Sequence, residues 1–160
     1  MSRVRKKEYI EANVYEESLN RIRYLFDAFD NIVVNFSAGK DSTVVLNLAL
    51  IVSKEKNKRI TVNFFDEEAI HPPTIEYARR VSKNKSIDFK WYCLEFKHRN
   101  ACSNEEPFWY CWDVNKKDLW VRELPKEAIT KHPKFIKEMS FQEFSSLMPN
   151  KVDGLTAILT

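Results

Sequence analysis

Glycine is scarce in this chain, which has only two glycines, Gly39 and Gly154, among its 160 residues. A backbone that must adopt positive φ values or approach a ligand closely uses glycine, because glycine has no Cβ atom. Gly39 lies in a short polar stretch between two apolar ones. We therefore expect it to meet a backbone requirement of that stretch.

Cysteine is also rare, and the three cysteines are an odd number without regular spacing. This usage argues against a disulfide framework and suits reduced thiols in a cytoplasm. Zinc sites usually contain C-x₂₋₄-C pairs, and the spacing of Cys93, Cys102 and Cys111 provides none. Cys93 is expected in the core, whereas Cys102 and Cys111 are either unpaired thiols or a redox pair.

Long apolar runs and strong net charge are missing too. No run of about 18 apolar residues occurs, and the N-terminus has no apolar signal core, so neither a membrane span nor secretion is indicated. The net charge of +3 creates no global basic field that would demand nucleic acid. An apolar fraction of 44% and an aromatic fraction of 13% indicate one globular domain over residues 1–160, expected in the cytoplasm.

What the chain does contain is an alternation of strand-like and helix-like segments. The predicted strands are residues 32–36, 60–65, 86–94 and 155–160. The predicted helices are residues 8–29, 42–55 and 74–84, with two short helices in an insert over 125–148, the second capped by Ser140. Two βα units followed by a strand predict an α/β fold, with a parallel sheet, right-handed crossovers and flanking helices.

A polar loop, Ser37-Ala38-Gly39-Lys40-Asp41-Ser42, joins the first strand to the helix that follows it. This is the geometry of a phosphate cradle, because backbone N–H groups and the positive end of the helix dipole point into the loop. Lys40 adds a mobile positive charge, and the hydroxyls of Ser37 and Ser42 can donate to phosphate oxygens. Asp41 can cap the helix or help to hold a metal. The alternative is an ordinary turn whose side chains only cap the helix.

The second strand ends on three acids, Asp66 to Glu68, at the edge where ligands bind in open α/β sheets. Residues 95–118 lack clear periodicity but are rich in aromatic residues, so we interpret them as a lid or substrate loop over that edge. His98 and Arg99 in this lid are either an anion clamp or solvated basic residues. Arg122, inside an apolar run, is expected in a buried ionic or phosphate contact.

The loop Ser37–Ser42 resembles the pyrophosphate loop S-G-G-x-D-S of the adenine nucleotide alpha hydrolase superfamily, with Ala38 in place of the first glycine. That replacement predicts an ordinary negative φ at Ala38. The segment from Asp66 to Thr74 is similar to the D-T-G-x-x-x-P-E-T signature of phosphoadenosine phosphosulfate (PAPS) reductases, and Asp66, Pro72 and Thr74 are in register. The chain is therefore identified as PAPS reductase-like.

This resemblance implies a Rossmann-like fold with the strand order 3-2-1-4. It also implies that the loop Ser37–Ser42, Ala38 and Gly39 included, holds the phosphates of ATP or PAPS, and that Lys40, Asp41 and Arg99 act in catalysis. The adenine would lie beside Phe65 and Asp66, and Mg²⁺ would be bound by Asp41 or Asp66. In such proteins the fourth strand leads into a further phosphate-binding loop, so we expect either a fragment or a short member truncated after that strand.

The function implied is adenine nucleotide binding and, if the protein is active, cleavage at the α-phosphate to give an adenylated product and pyrophosphate. The sequence contains neither the reductases' C-terminal cysteine motif nor the cysteines of iron–sulfur members. We therefore expect no sulfonucleotide reduction and no iron–sulfur cluster. The alternative is a catalytically inactive regulatory or partner-dependent subunit, whose aromatic lid over residues 107–120 would contact a protein or nucleic acid.

Overall fold

Four parallel strands form the main sheet in the structure, a computed structural model that describes residues 9–149 and 154–160. In chain order the described strands are β1 (Asn31–Asn35), β2 (Ile60–Phe65), β3 (Ile87–Tyr92), β4 (Lys97–Arg99), β5 (Phe108–Tyr110) and β6 (Thr156–Leu159). The described helices are α1 (Val14–Ala28), α2 (Lys40–Lys56), α3 (Pro72–Ser82), α4 (Phe141–Leu147) and a 3₁₀ helix (Val114–Leu119). The order across the main sheet is β3-β2-β1-β6, which confirms the predicted order because β6 is the fourth predicted strand.

The alternation of side chains along β1 shows how the sheet separates two environments. Val34 is fully buried on one face, whereas Asn35 faces the other. Phe36 continues the buried side and packs edge-on against Tyr77 of α3, with ring centroids 5.8 Å apart. On the opposite face, Asn35 donates to the hydroxyl of Ser145 in α4 at 2.8 Å. The sheet therefore has helices on both faces, as the α/β pattern predicts.

Helix α1 is shorter than the helix predicted over residues 8–29. The side chain of Asn13 accepts the Glu16 N–H at 2.9 Å, and the Glu16 carboxylate accepts the Asn13 N–H at 3.3 Å. This reciprocal capping box fixes the start of the helix at Val14. Residues 9–13 precede the helix, and residue 8 lies outside the described residues.

Helix α2 is longer than the helix predicted over 42–55, because it begins at Lys40. The last three residues of the polar loop thus form the first helical turn. Leu46, Ala49 and Val52 recur at helical spacing and are buried, so this face anchors the helix in the core. Among the described helices, none is long and apolar enough to cross a membrane.

Residues 95–118 are more regular than predicted. β4 and β5 pair antiparallel, with Lys97 opposite Tyr110 and Arg99 opposite Phe108, and the 3₁₀ helix follows. The segment is also tied to the core, because Phe96 and Cys111 are fully buried. A hairpin with three residues in each strand is too short to produce a recognisable alternation in the sequence, which explains why no regular structure was predicted here. The interpretation as a lid or substrate loop stays a prediction.

The insert over residues 125–148 contains one helix instead of the two predicted. α4 has the expected cap: the Ser140 hydroxyl accepts the Glu143 N–H, and the Glu143 carboxylate accepts the Ser140 N–H at 2.8 Å. The other predicted helix is wrong, because Ile129 instead pairs with the end of β3. Its N–H donates to Trp91 O at 2.7 Å, and its carbonyl accepts the Cys93 N–H at 3.0 Å.

The start of β6 is fixed against the turn that precedes β1. The Leu155 N–H donates to Asp30 Oδ2 at 2.8 Å, and Leu155 O accepts the Asn31 N–H at 3.0 Å. Gly154 has a φ of 91°, and a Cβ atom at this position would lie only 2.7 Å from Asp30 Cγ. Glycine is therefore required here both by the backbone conformation and by the close approach of Asp30.

Candidate functional site

The polar loop Ser37–Ser42 lies at the carboxyl end of β1 and is closed by its own hydroxyl groups. The Ser37 and Ser42 hydroxyl oxygens are 3.0 Å apart. Ser42 Oγ also donates to Gly39 O at 3.1 Å and accepts the Ser37 N–H at 3.3 Å. The two serines predicted to bind phosphate are thus brought together across the loop.

The backbone conformation of Ala38 corrects a prediction. Its φ is 60°, in the left-handed region, whereas replacement of glycine by alanine predicted a negative φ. Gly39 instead adopts an extended conformation with φ −78° and ψ 171°. The turn therefore keeps the shape that a glycine would favour even though position 38 carries a Cβ atom, at a steric cost of about 1–2 kcal/mol.

The N-terminus of α2 differs from the other α-helix N-termini in the described residues. α1 and α4 have complete capping boxes, and the first residues of α3 are prolines, which have no N–H to donate. α2 begins after Gly39 and has no side-chain cap. Because the first N–H groups of a helix have no intrahelical acceptor, those of α2 remain available to an anion.

A cavity of about 320 Å³ lies beside this uncapped helix end. Its lining comes from the carboxyl ends of β1 and β2, the start of α2, the start of α4 and the end of β6, namely Asn35, Phe36, Ser37, Asp41, Ser42, Phe65, Glu67, Phe141 and Thr160. Four predicted site residues, Ser37, Asp41, Ser42 and Phe65, therefore share one cavity. The volume of this cavity is at the low end of the usual range for small-molecule sites.

Lys40 and Arg99 do not line this cavity in the structure. Lys40 Nζ lies 2.8 Å from Asp41 Oδ1, but both side chains are almost nine-tenths exposed. Such a surface ion pair contributes little and leaves the lysine free to move. Arg99 is exposed at the end of β4. Their predicted catalytic roles stay predictions.

Asp66 is fully buried and is not part of the cavity lining, and protein donors surround its carboxylate. Oδ2 accepts Trp91 Nε1–H at 2.7 Å, and Oδ1 accepts the Glu68 N–H at 2.9 Å. Arg122 forms an ion pair with Oδ1 and donates through Nε to Glu68 O at 3.0 Å. The expected buried ionic contact of Arg122 is confirmed. The metal-binding role of Asp66 stays a prediction. A metal ion at this carboxylate would have to replace the hydrogen bonds and the ion pair described above.

Glu68 joins the end of β2 to the segment that follows the hairpin. Its carboxylate accepts the Trp112 N–H at 2.7 Å and the Val121 N–H at 3.2 Å. Trp112 Nε1 donates to Asp66 O at 2.7 Å, and the Arg122 guanidinium lies 4.8 Å from the Trp112 ring centroid. The alternative of a partner-dependent subunit placed Trp112 on an exposed surface, whereas this side chain is 2% exposed. Its indole is a structural group of the core.

Glu67 and His98 are the site residues that sequence reasoning missed or left open. Glu67 lines the cavity. His98 stacks on Trp109 with ring centroids 4.6 Å apart, and its Nε2 is buried without a hydrogen-bond partner in the described part of the chain. Burial lowers the pKa of His98, and the charge of Glu67 partly opposes that shift. Glu67 directly follows Asp66 in the acidic run after β2, and that run was the signal in the sequence that could have found it.

Comparison with known proteins decides the classification. The family described as "Phosphoadenosine phosphosulfate reductase domain" matches residues 31–134, more than half of the chain. The chain belongs to this family. It is also similar to "Uncharacterized protein YbdN" of Escherichia coli (strain K12), with 32% identity over 139 residues that cover 82% of this chain and 34% of that relative. The chain thus spans about a third of the length of this curated relative. No solved structure matches the chain.

The cysteines of this PAPS reductase domain are free thiols, of which Cys102 is exposed. Cys93 is buried, as expected. Burial raises the pKa of both Cys93 and Cys111, that of Cys111 to about 12. Neither is a thiolate near neutral pH, so neither is poised as a nucleophile. Within the described residues, no group of three or more histidine, cysteine, aspartate or glutamate side chains is arranged to hold a metal by itself.

Proposed function

We propose that this domain binds an adenine nucleotide, ATP or PAPS, with its phosphates at the loop Ser37–Ser42 and its adenine beside Phe65. The observation that carries the proposal is the uncapped N-terminus of α2, which adjoins the 320 Å³ cavity. Membership in the PAPS reductase domain family supports a nucleotide ligand. The Ser37 and Ser42 hydroxyls exchange their mutual contact for bonds to phosphate oxygens.

The electrostatics of the cavity suit a phosphate with a divalent cation. The helix end supplies partial positive charge, and Lys40 can swing inward because its ion pair with Asp41 is exposed. Mg²⁺ typically binds through one or two carboxylates and substrate phosphates. Asp41 and Glu67 line the cavity and fit that pattern. When bound there with the nucleotide, Mg²⁺ would neutralise phosphate charge.

The reaction that this arrangement fits is displacement at the α-phosphate of ATP. An acceptor oxygen forms the new bond to phosphorus, and the bond to the pyrophosphate oxygen breaks. Lys40 and the α2 N-terminus hold the leaving pyrophosphate and offset its developing charge. Arg99, on the hairpin, is proposed to bind the acceptor or the phosphate from the opposite side.

Isothermal titration calorimetry with ATP and, separately, with PAPS tests the binding step in the presence of Mg²⁺. Asp41→Ala should weaken ATP binding by on the order of tenfold, about 1.4 kcal/mol, through loss of the metal-bridged contact. Asp118→Ala removes a carboxylate that is also exposed, on the 3₁₀ helix, and serves as the matched control. Equal affinities for both variants and the wild type would remove Asp41 from the site, and absence of binding to either nucleotide would end the proposal.

Pyrophosphate release separates the two functions that a nucleotide site allows. Release from ATP over a panel of hydroxyl acceptors, lost in Asp41→Ala and kept in Asp118→Ala, supports the enzyme. Tight binding without release from any acceptor instead supports a regulatory or partner-dependent subunit. Both outcomes retain the nucleotide site and differ only in its use.

A further inference from the structure

A basic surface lies at the end of the sheet opposite to the nucleotide cavity. α2 and α3 both run away from the cavity, so their C-termini and the starts of β2 and β3 meet at the other end. Eight cations lie in these segments. Lys56 is paired with Asp27 of α1 at 2.6 Å, and the other seven form what we name the basic end, namely Lys54, Lys58, Arg59, Arg79, Arg80, Lys83 and Lys85. β2 has six residues, so roughly 20 Å separates the basic end from the cavity.

The basic end encloses a cavity of about 590 Å³, larger than the one at the polar loop. Its cationic lining residues are Lys54, Lys58, Arg59 and Lys85, and the amides of Asn57 and Asn84 also line it. Among the described residues, no acidic one belongs to this lining, and Leu50 is its one apolar member. The cavity therefore offers cations and polar groups to a hydrated anion.

The cations of the basic end form no ion pair with an acid in the described part of the chain. Residues 54–59 and 79–85 contain one acid, Glu55, which is bonded to Arg23 of α1 at 2.8 Å. Lys58 Nζ donates to Phe29 O at 2.5 Å and Arg59 to Ile87 O at 2.6 Å, so carbonyl groups fix these two side chains without cancelling their charge.

The remaining cations have few partners in the described residues. Lys54, Arg79, Lys83 and Lys85 make no side-chain hydrogen bond or ion pair there, and Arg80 rests over the Tyr77 ring at 5.3 Å. Cations in the last turn of a helix offset its dipole, which accounts for Lys54, Arg79 and Arg80. Arg59 and Lys85 lie beyond the helix ends, so this effect does not explain them.

We propose that the basic end binds the phosphate backbone of a nucleic acid. Exposed cations spread over two helix ends match a chain of phosphates better than a single one, and hydroxyl and amide groups beside them are typical phosphate and sugar contacts. A membrane surface or a protein partner would use apolar side chains, of which the cavity contributes only Leu50. The site is separate from the proposed nucleotide cavity and does not depend on it.

Fluorescence anisotropy with a short, labelled, mixed-sequence DNA duplex over a series of salt concentrations tests this proposal. The wild-type protein should bind at low salt, with an affinity that falls steeply as salt is added. The double variant Lys54→Gln/Lys85→Gln should bind on the order of tenfold more weakly. A plot of the logarithm of the binding constant against the logarithm of salt concentration should become less steep by about two, because each lost phosphate contact reduces the steepness by roughly 0.9.

Lys126→Gln/Lys131→Gln is the matched control, because it removes the same charge from exposed positions outside the basic end. It should bind like the wild type. An equal loss in both double variants would mean that only net charge matters and would overturn the proposal, as would absence of binding at low salt. Displacement of the duplex by saturating ATP would place the nucleic acid in the phosphate loop and would also overturn it.

Discussion

Three of the five non-glycine residues with positive φ in the described part of the chain lie near the carboxyl ends of β1 and β2, and the other two, Asn57 and Glu138, lie elsewhere. Ala38, Glu68 and Trp112 all have positive φ values without being glycine. Ala38 is in the polar loop, and Glu68 and Trp112 are joined by the hydrogen bond from the Trp112 N–H. Such strain persists only where surrounding contacts impose it, and it often lies at functional sites. Its position here agrees with the proposed nucleotide site.

The strain at Ala38 leads to a stability prediction. Ala38→Gly should raise the free energy of unfolding by about 1 kcal/mol, because glycine adopts a φ of 60° without the clash of a Cβ atom. Urea denaturation measures this change. Ala101→Gly is the control, since Ala101 is exposed and has no positive φ, so there the substitution should not stabilise. If Ala38→Gly instead destabilises the protein as much as Ala101→Gly does, this result would contradict the positive φ assigned to Ala38.

Among single residues, the cavity residues that could be predicted from the sequence are those that lie close together in the chain. Ser37, Asp41 and Ser42 are close in sequence, and strand, loop and helix bring them together whatever the rest of the chain does. Phe141 arrives from a helix about 100 residues later, and no local pattern places it there. The positive φ of Ala38 was missed because tertiary contacts overrode the residue's own preference.

Among the secondary-structure elements, the ion pair of Asp66 and Arg122 is one of the connections between β2 and the segment after the hairpin, beside the hydrogen bonds of Glu68. Asp66 is completely buried, and the Arg122 side chain is 22% exposed. Cysteine and tryptophan side chains surround the pair, with Cys93 Sγ 3.7 Å from Asp66 Oδ2. Removal of the arginine would leave a carboxylate in the core without its cation, which is much less favourable than losing an exposed pair.

Arg122→Met should therefore lower the free energy of unfolding by about 3 kcal/mol. Removing one partner of a buried pair typically costs about 3–5 kcal/mol, and we expect the lower end because Asp66 keeps two other hydrogen-bond donors. Arg21→Met is the control, because Arg21 pairs with Glu17 on the surface of α1 and should change stability by less than about 0.5 kcal/mol. Chemical denaturation followed by tryptophan fluorescence measures both. Similar losses in the two variants would mean that the buried pair is not a structural connection.

The elements that the sequence predicted correctly are those with enough residues to show a period. The four strands of the main sheet and helices α1 to α3 all have four or more residues in a clear apolar pattern. The three-residue strands β4 and β5 do not. The wrong helix before α4 contains Ile129, whose backbone pairs with β3, and Pro133, which cannot donate to a helix. The first error therefore comes from the shortness of the strands, and the second from the pairing of Ile129 with a distant strand.

For the molecule as a whole, net charge concealed an asymmetry between the two ends of the sheet. The total of +3 gave no reason to expect a polyanion. The basic end combines two sequence segments, residues 54–59 and 79–85, that become neighbours only when β2 and β3 pair. The opposite end carries Asp41, Glu67 and Asp66 near the loop. A property of the fold, and not of the composition, therefore suggests a second ligand.

Global stability should fall as the solution is acidified below neutral pH, because two histidines titrate differently in the folded and unfolded states. Burial lowers the pKa of His98 and, with Lys134, that of His132, from the ordinary value of 6.5. Below 6.5 the unfolded chain takes up protons that the folded chain does not yet bind, so acidification favours unfolding until the pH reaches the lowered values. Hydrogen bonds from Ser140 lower the pKa of Glu143. Acidification therefore also reduces stability through Glu143, but only below about pH 4.5.

Urea denaturation at about pH 7.5 and about pH 5.5 measures this effect within the range where histidine dominates. The wild type should be less stable at the lower pH, and His98→Gln/His132→Gln should show a smaller difference because it has lost both groups. His71→Gln, at an exposed histidine before α3, should keep the wild-type difference. If the double variant retains the wild-type difference as well, the pH dependence originates in groups other than His98 and His132.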